Sequence, residues 1–258
     1  MKWRFIEQET YSADINMAID HAIYEGVGSG REKPTIRFYK WIPSSVSLGA
    51  YQNTTEINLN ACKKYNVGVV RRMTGGGSVF HDNADFTYSI AAPLRIFDNS
   101  IENAYKQICS WVINALNEFG IKANLENKND IFVDGKKISG NAAKALDKGV
   151  YFQHGTLVYD IDFEVMSSVL NISKDLVNEK VTSVLQNKNI SPNKVYDKLK
   201  NSFTLDKEFK TKELSKFELM RAKDLANTRY RTIMLPAGSL VKNKGACYVV
   251  SNLHSAFS

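Results

Sequence analysis

The sequence is poor in cysteine and has no apolar run long enough to cross a membrane. Its three cysteines, Cys62, Cys109 and Cys247, lie far apart and form no CxxC pair. This spacing argues against a disulfide framework and against a cysteine zinc site, and it is typical of a reducing compartment. The amino terminus also lacks the apolar segment of a signal peptide, so we expect a cytoplasmic protein without a membrane partner.

Several common catalytic motifs are missing as well. The chain has no GxSxG elbow, no HExxH zinc helix, no Walker A sequence and no GxGxxG. Cys62 and Cys109 fall in helical patterns, where a thiol is usually an inert, buried side chain. These absences disfavour zinc chemistry, nucleotide binding through the usual glycine motifs and a covalent acyl-enzyme.

What the chain does contain is typical of a globular protein. Its 258 residues are 43% apolar and 24% charged, which suits one large domain or one domain with a small appendage. Lys and Arg outnumber Asp and Glu by 34 to 27, giving a net charge of +7. A basic balance favours anionic partners, but a solvated basic surface explains it equally well. Basic and aromatic residues interleave only at 36–41, where strand alternation is sufficient, so no nucleic-acid partner is expected.

Helix-like and strand-like patterns alternate without an internal repeat. Apolar residues recur at helical spacing after Ser12 and after Ser100, which predicts two amphipathic helices capped by those serines. Strand patterns at 35–41, 68–72 and 85–92 predict a sheet for these helices to cover.

The second half of the chain has a clear hairpin and a soft boundary. Asp134 and Gly135 stand between two short strand patterns, which is a strong hairpin signal. Beyond residue 187 the chain becomes more polar, so we expect a domain over 1–187 and a smaller, mainly helical part over 188–258. Short apolar runs near the carboxyl terminus allow further strands there.

The stretch "RRMTGGGSVFHD" at 71–82 is the first candidate site. Three consecutive glycines let a ligand lie directly against backbone N–H groups, as in loops that bind phosphates or carboxylates. A bare glycine run is more often a flexible turn, but the two preceding arginines and His81 favour a functional role for this one. His81 and His154, each taken alone, are more often structural than catalytic. Lys137 is the second candidate, because small residues follow it in "GKKISGNAAK".

Three ordered segments resemble one family. "RRMTGGGSVFHD", "KNDIFVDGKKISGNAAK" at 128–144 and "HGTL" at 154–157 are similar to the lipoate-protein ligases, within the superfamily of biotin and lipoate ligases and octanoyltransferases. The resemblance implies an α/β (α+β) catalytic domain with a mixed, mainly antiparallel sheet flanked by helices. It also implies a relation to class II aminoacyl-tRNA synthetase cores.

The resemblance implies an activity with two steps. Lipoate would be activated by ATP and Mg²⁺ to lipoyl-AMP, and the lipoyl group would pass to a lysine of an acceptor protein. The implied acceptors are the lipoyl domains of 2-oxoacid dehydrogenase E2 subunits, the glycine-cleavage H protein, or both. Because the chain has little room for the family's accessory domain, we expect either a separate accessory protein for adenylation or transfer from preformed lipoyl-AMP.

The resemblance also assigns residues. Lys137 is the expected catalytic lysine, which bridges the carboxylate and the α-phosphate, and Asp130 is the expected Mg²⁺ ligand. The residues expected to bind lipoyl-AMP are Arg71, Arg72, Gly75, Gly76, Gly77, His81, Asn129, Asp130, Ala142, His154, Gly155, Thr156, Lys180, Val181 and Ser183.

Octanoyltransferases in this superfamily share the loop and the lysine but need an active-site cysteine. It stands shortly before the hairpin or just ahead of the HG dipeptide, where this chain has "NLENKND" at 124–130 and "YFQH" at 151–154. On that ground the ATP-dependent ligase is the preferred hypothesis. The alternatives are an octanoyl or lipoyl transferase, or a non-catalytic protein that binds lipoate or nucleic acid.

Overall fold

A mixed eight-stranded sheet forms the centre of the computed structural model, which describes residues 2–145 and 149–230. In chain order the strands are β1 (Trp3–Tyr11), β2 (Thr35–Trp41), β3 (Ser45–Leu48), β4 (Gly68–Arg71), β5 (Val79–His81), β6 (Phe86–Pro93), β7 (Ala123–Glu126), β8 (Asp130–Val133), β9 (Lys136–Ala145), β10 (Val150–Leu157) and β11 (Phe209–Thr211). The large sheet has the order β11-β1-β2-β6-β10-β9-β8-β7, and β4-β3-β5 form a separate small sheet.

The pairing confirms the predicted sheet class. In the large sheet β1 is parallel to both β11 and β2, whereas every pair from β2 to β7 is antiparallel. The predicted hairpin joins β8 to β9, and its turn residues Asp134 and Gly135 have φ values of 48° and 76°. Two successive positive φ angles are what a two-residue type I′ turn requires.

Helices cover both faces of the large sheet. They are α1 (Ala13–Gly28), α2 (Leu59–Lys64), α3 (Ile101–Asn117), α4 (Phe163–Leu170), α5 (Lys174–Lys180), α6 (Val184–Asn187), α7 (Pro192–Thr204) and α8 (Lys216–Leu225), with short 3₁₀ turns at Thr54–Glu56 and Leu94–Phe97 and a π turn at Ala226–Tyr230. Both predicted amphipathic helices are present. Ser100 accepts the amide hydrogen of Asn103 and caps α3, whereas Ser12 stands at the start of α1 without a side-chain cap bond. Among the described residues, none of these helices combines the length and the apolar character that a membrane crossing would need.

The two faces of β10 divide the core. Tyr151 and Leu157 pack into the cluster that contains α3 and α7, and Val150 and Phe152 pack into the cluster that contains α1 and α8. Every residue of β10 is buried because helices cover both sides of this part of the sheet. A third cluster joins the small sheet to α2 and α4.

The segment after residue 187 packs onto the same sheet and helices. β11 extends the sheet beside β1, and α8 lies against α1. Arg4 of β1 donates two hydrogen bonds to the carboxylate of Glu218 in α8, one of them at 2.7 Å from Nη1. The division near residue 187 stays a prediction, and the strands expected near the carboxyl terminus lie outside the described residues.

We predict that Glu218→Gln lowers the free energy of unfolding by about 3 kcal/mol, because it removes one partner of a buried ion pair. Glu218 is 0% exposed and Arg4 is 4% exposed. Urea unfolding of the purified variant measures the loss.

The matched control is Glu208→Gln, because Glu208 pairs with Lys2 on the surface at 63% and 60% exposure. Exposed ion pairs contribute little, so this variant is expected to unfold like the parent. Equal unfolding curves for both variants would contradict a structural role of the Arg4–Glu218 pair.

Candidate functional site

A β-bulge decides where Lys137 points. Opposite β8, Ile131 pairs with Ser139 but Phe132 pairs with Lys137, so Ile138 is an extra residue in β9. Regular alternation would place Lys137 and Gly140, three residues apart, on opposite faces of the sheet. The bulge reverses this: a Cβ built on Gly140 would lie 2.8 Å from Lys137 Cε and 2.9 Å from its Nζ. The amine of Lys137 therefore lies on the face toward which Gly140 points.

The same face carries two of the predicted residues on β10. Gly140 pairs with Thr156 and Ala142 pairs with His154, and directly paired residues project from one face. Lys137 also forms an ion pair with Asp130, with 2.9 Å between Nζ and Oδ1, and its side chain is 39% exposed. The site is thus a partly open surface on β9 and β10 that includes the amine of Lys137.

The glycine loop connects β4 to β5 of the small sheet. The short strand β5 was not predicted, and it lies between the loop and the strand predicted at 85–92. The loop meets β10 through Thr74, whose hydroxyl lies 2.7 Å from His154 Nε2. The small sheet meets β10 through His81, whose Nδ1 lies 3.0 Å from Thr156 Oγ1. Glycine loop, His81, His154, Thr156 and Lys137 consequently share one face.

Arg72 holds the glycine loop from beneath. Its Nη2 donates to the carbonyl oxygens of Gly75 at 2.6 Å and Gly77 at 2.8 Å, and its Nη1 donates to Ser47 O at 2.8 Å. Nε donates to Thr74 Oγ1 at 3.1 Å. The side chain is 5% exposed, and burial lowers its pKa to about 10. Arg72 therefore fixes the conformation of the loop through these hydrogen bonds, and none of its donors is directed at solvent.

Arg71 binds the neighbouring loop at 49–52 in a similar way. Its Nη1 donates to the carbonyl oxygens of Gly49 at 2.8 Å and Gln52 at 2.6 Å. Gln52 in turn donates to Ser78 Oγ at 2.9 Å, so the segment at 49–52 is tied to the end of the glycine loop. Both predicted arginines are present at the site, and in this structure both bind backbone carbonyl groups.

The two predicted histidines are enclosed. His81 stacks on Trp41 with ring centroids 4.2 Å apart, and its Nε2 lies 2.8 Å from Ser47 Oγ. Burial, followed by the charge of Arg72, holds the pKa of His81 well below its ordinary value. Burial also lowers the pKa of His154, although the Asp20 carboxylate opposes that shift. Both imidazoles are therefore neutral at pH 7 with both ring nitrogens in contact with a partner.

Other predicted residues lie away from this face. A Cβ on Gly155 would stand 2.2 Å from Asn141 Oδ1 and 2.4 Å from the Tyr88 hydroxyl, so Gly155 makes room for a buried hydrogen bond on the opposite face. Asn129 donates through its amide to the backbone oxygen of Asn141 at 2.7 Å and so fastens the start of β8 to β9.

The segment predicted at 180–183 reaches the site through Lys137. Val181 forms an isolated parallel bridge with Lys137, and the amide of Thr182 donates to Lys137 O at 2.9 Å. Ser183 is buried as the cap of α6, and Lys180 is an exposed residue at the end of α5. This segment therefore supports the strand that carries the lysine.

Asp20 and Thr74 contact His154, and the sequence did not lead us to predict either residue. Asp20 lies in α1, is 1% exposed and has its Oδ2 3.6 Å from His154 Nδ1. A signal was available, because Asn16 and Asp20 form a polar pair at i,i+4 among the apolar residues Ile15, Met17 and Ile19. Thr74 stands inside the quoted glycine stretch but carries no motif of its own.

Two of the three thiols are buried in the core clusters. Cys62 lies under the small sheet, and burial raises the pKa of its thiol to about 11. Cys109 lies in α3 on the opposite face of the large sheet, and burial raises its pKa to about 12. Neither has the exposed, electropositive setting of a reactive thiolate. Cys247 lies outside the described residues.

The fold and this site define an α/β enzyme of the lipoate ligase and octanoyltransferase type. Residues 12–204 match the lipoyl protein ligase A/B catalytic domain, and the chain belongs to that family. It is 30% identical over 269 residues to octanoyltransferase LipM of Brevibacillus brevis, covering 90% of this chain and 97% of the relative. LipM of Anoxybacillus flavithermus is 31% identical over 268 residues, with 89% and 96% covered. Among solved structures, a bi-partite lipoate protein ligase from Thermoplasma acidophilum superimposes with a TM-score of 0.76 at 26% identity, covering 88% of this chain and 92% of that one.

These relatives overturn the expected activity. The prediction of an ATP-dependent, AMP-forming ligase with Mg²⁺ is wrong, because the sequence relatives that match along almost their whole length are octanoyltransferases. The expected accessory protein for adenylation rested on that prediction and falls with it. The error arose because the glycine loop and the lysine are common to both activities, while the preference for the ligase depended on two segments without cysteine.

We predict that Gly76→Ala destabilises the protein by about 1 to 2 kcal/mol, because a residue with a side chain is strained at positive φ. Gly76 has φ +96°, and a Cβ there would lie 2.9 Å from Arg72 Nη2. Urea unfolding measures the loss.

Gly75→Ala is the control in the same loop. Gly75 has no positive φ, and a Cβ on it would meet nothing within 4 Å. If both variants unfold alike, then the positive φ of Gly76 and the space beside Arg72 do not constrain the loop.

Proposed function

We propose that this protein is an octanoyltransferase, which moves an octanoyl group from a thioester donor to a lysine side chain of a lipoyl domain. The observation that carries the proposal is the placement of the Lys137 amine on the face of the glycine loop, in a chain whose relatives at 30% and 31% identity are octanoyltransferases. The acceptor class is supported by the family, and by the archaeal ligase, whose structural analysis also concerns its E2 lipoyl domain. A glycine-cleavage H protein is a second acceptor to test.

The proposed chemistry is acyl transfer between a sulfur and a nitrogen. The acceptor amine attacks the thioester carbonyl, an N–C bond forms, the C–S bond breaks, and the thiol of the donor leaves with a proton. Negative charge gathers on the carbonyl oxygen in the transition state, and a fixed cation or N–H group beside it lowers the barrier. Lys137 would supply the cation, and Asp130, at 2.9 Å, would orient its amine. The chemistry requires a thioester donor, and we propose a carrier protein that holds the octanoyl chain as the class of that donor.

The remaining predicted residues keep proposed roles around this centre. Gly75, Gly76 and Gly77 would form the wall against which the acyl chain lies, and Thr156 and Ala142 would form the floor on β10 and β9. Arg71, Arg72, His81 and His154 would hold that wall, given that their polar atoms already contact the protein. Cys62 and Cys109 are both buried, so in this scheme the acyl group passes directly from the donor thioester to the acceptor amine.

The deciding assay is mass spectrometry of an apo lipoyl domain incubated with this protein and an octanoyl thioester of an acyl carrier protein. We expect the acceptor to gain the mass of one octanoyl group without any nucleotide. A parallel reaction holds free octanoate or lipoate with ATP and Mg²⁺, and we expect no gain there. Modification in the nucleotide reaction alone would refute the proposal. Intact mass of the enzyme after donor treatment reports any acyl-enzyme, which we expect to be absent from Cys62 and Cys109.

We predict that Lys137→Met lowers kcat for octanoyl transfer by about a hundredfold or more, because it removes the charge beside the reacting carbonyl. Lys136→Met is the matched control. Lys136 is the preceding residue of β9, and its Nζ donates to Asn178 O at 2.7 Å, outside the site. A Lys137→Met protein that modifies the acceptor at the parent rate would show that the lysine has no catalytic role.

A further inference from the structure

Asp20 is a buried carboxylate at the inner end of a chain of contacts that leads to the glycine loop. Its Oδ1 accepts from Arg37 Nη1 at 2.9 Å and from Ser89 Oγ at 2.8 Å, and its Oδ2 accepts from the Tyr39 hydroxyl at 2.8 Å. Burial alone would raise the pKa of Asp20, but His154 and Arg37 outweigh it and the pKa lies below its ordinary value. Asp20 is therefore a fixed negative charge, and its Oδ2 faces His154 Nδ1 at 3.6 Å.

The direction of the hydrogen bonds between Asp20 and Arg72 follows from their chemistry. An arginine only donates, so Arg72 Nε–H donates to Thr74 Oγ1. The Thr74 hydroxyl lies 2.7 Å from His154 Nε2, and its oxygen can accept two hydrogen bonds, so the tautomer of the ring decides which of the two groups donates. The Asp20 carboxylate faces Nδ1 and favours the single proton of the neutral ring there, which leaves Nε2 to accept from the Thr74 hydroxyl. Asp20 thus favours the tautomer of His154 in which Thr74 donates to the ring and accepts from Arg72.

Arg72 in turn fixes the orientation of two peptide planes in the glycine loop. In a trans peptide the C=O and the following N–H point in opposite directions. The carbonyl oxygens of Gly75 and Gly77 both point at Arg72 Nη2, so the N–H groups of Gly76 and Ser78 point away from the buried guanidinium. Within residues 2–145 and 149–230 neither of these two N–H groups has a hydrogen-bond acceptor. Two donors that point away from Arg72 and have no acceptor in this part of the chain, in the loop proposed as the acyl-binding wall, are what a developing oxyanion needs.

We propose that Asp20, His154 and Thr74 are positioning residues for acyl transfer, because through Arg72 they orient the Gly76 and Ser78 N–H groups as donors to the carbonyl oxygen of the acyl thioester. This inference rests on the proposed function, to which it adds the two donors and the residues that aim them. Direct proton transfer by His154 is a poorer account of the ring, since it is 7% exposed and both nitrogens already face fixed partners.

The test compares Thr74→Val with Thr74→Ser. Valine keeps the shape of threonine but cannot bridge Arg72 and His154, whereas serine keeps the hydroxyl. We expect Thr74→Val to lower kcat for octanoyl transfer on the order of tenfold to a hundredfold, since small misplacements of catalytic groups cost that much. KM for the donor is expected to stay near the parent value, because the donors act on charge that develops in the transition state. Thr74→Ser is expected to restore kcat.

Nuclear magnetic resonance separates this inference from the proposed function. We expect the amide signals of Gly76 and Ser78, and the ring nitrogen signals of His154, to shift in Thr74→Val and to return in Thr74→Ser. If the parent protein transfers no octanoyl group, the proposed function fails while these spectra still report whether the contacts aim the loop. Parent kcat together with unchanged loop amides in Thr74→Val would overturn the inference.

Asp20→Asn supplies a second variant in case Thr74→Val unfolds. The neutral side chain is expected to raise the share of His154 that carries its proton on Nε2, which is visible in the ring nitrogen signals, and to lower kcat in the same range. An unchanged tautomer and an unchanged kcat would also overturn the inference.

Discussion

The burial of Arg72 is the constraint on which the rest of the site depends. A guanidinium taken out of water is costly unless all its donors are used, and here five hydrogen bonds meet its five N–H groups. Its acceptors are carbonyl and hydroxyl oxygens of the loop and of β3, so the charge is satisfied only when the glycine loop has one conformation. A segment whose composition suggests flexibility is thereby held in one conformation. Gly76 provides the positive φ and the space beside Arg72 that this conformation requires.

Lys137 comes to this loop by an irregularity of the sheet. The extra residue in β9 turns the lysine onto the face of His154 and Thr156, and the bridge to Val181 supports the strand there. The lysine and the loop belong to two different sheets that meet through the pairs His81–Thr156 and Thr74–His154. Neighbouring strands of the large sheet fix the lysine, so its position relative to the loop depends on packing between the sheets.

The glycine loop and the lysine did not distinguish a ligase from an octanoyltransferase. In their proposed roles, the loop accommodates an acyl chain and Lys137 neutralises negative charge at its carboxyl end, and these roles would suit an acyl-adenylate and an acyl thioester alike. Neither motif reports which leaving group the acyl chain carries, because both would stabilise charge at the carbonyl and both substrates develop it there. Relatives that match along most of the chain distinguish the two activities, where the motifs did not.

The sequence by itself determined what depends on neighbours along the chain. Helical spacing predicted α1 and α3, the Asp134-Gly135 pair predicted the β8–β9 hairpin, and family motifs predicted the mixed, mainly antiparallel sheet; all are present. Only the tertiary structure decided the bulge that aims Lys137, the opposite face of Gly155 and the contact between Asp20 and His154. The last two depend on contacts between segments that are distant in the chain, and the bulge depends on how β8 and β9 align within their hairpin, which local spacing does not encode.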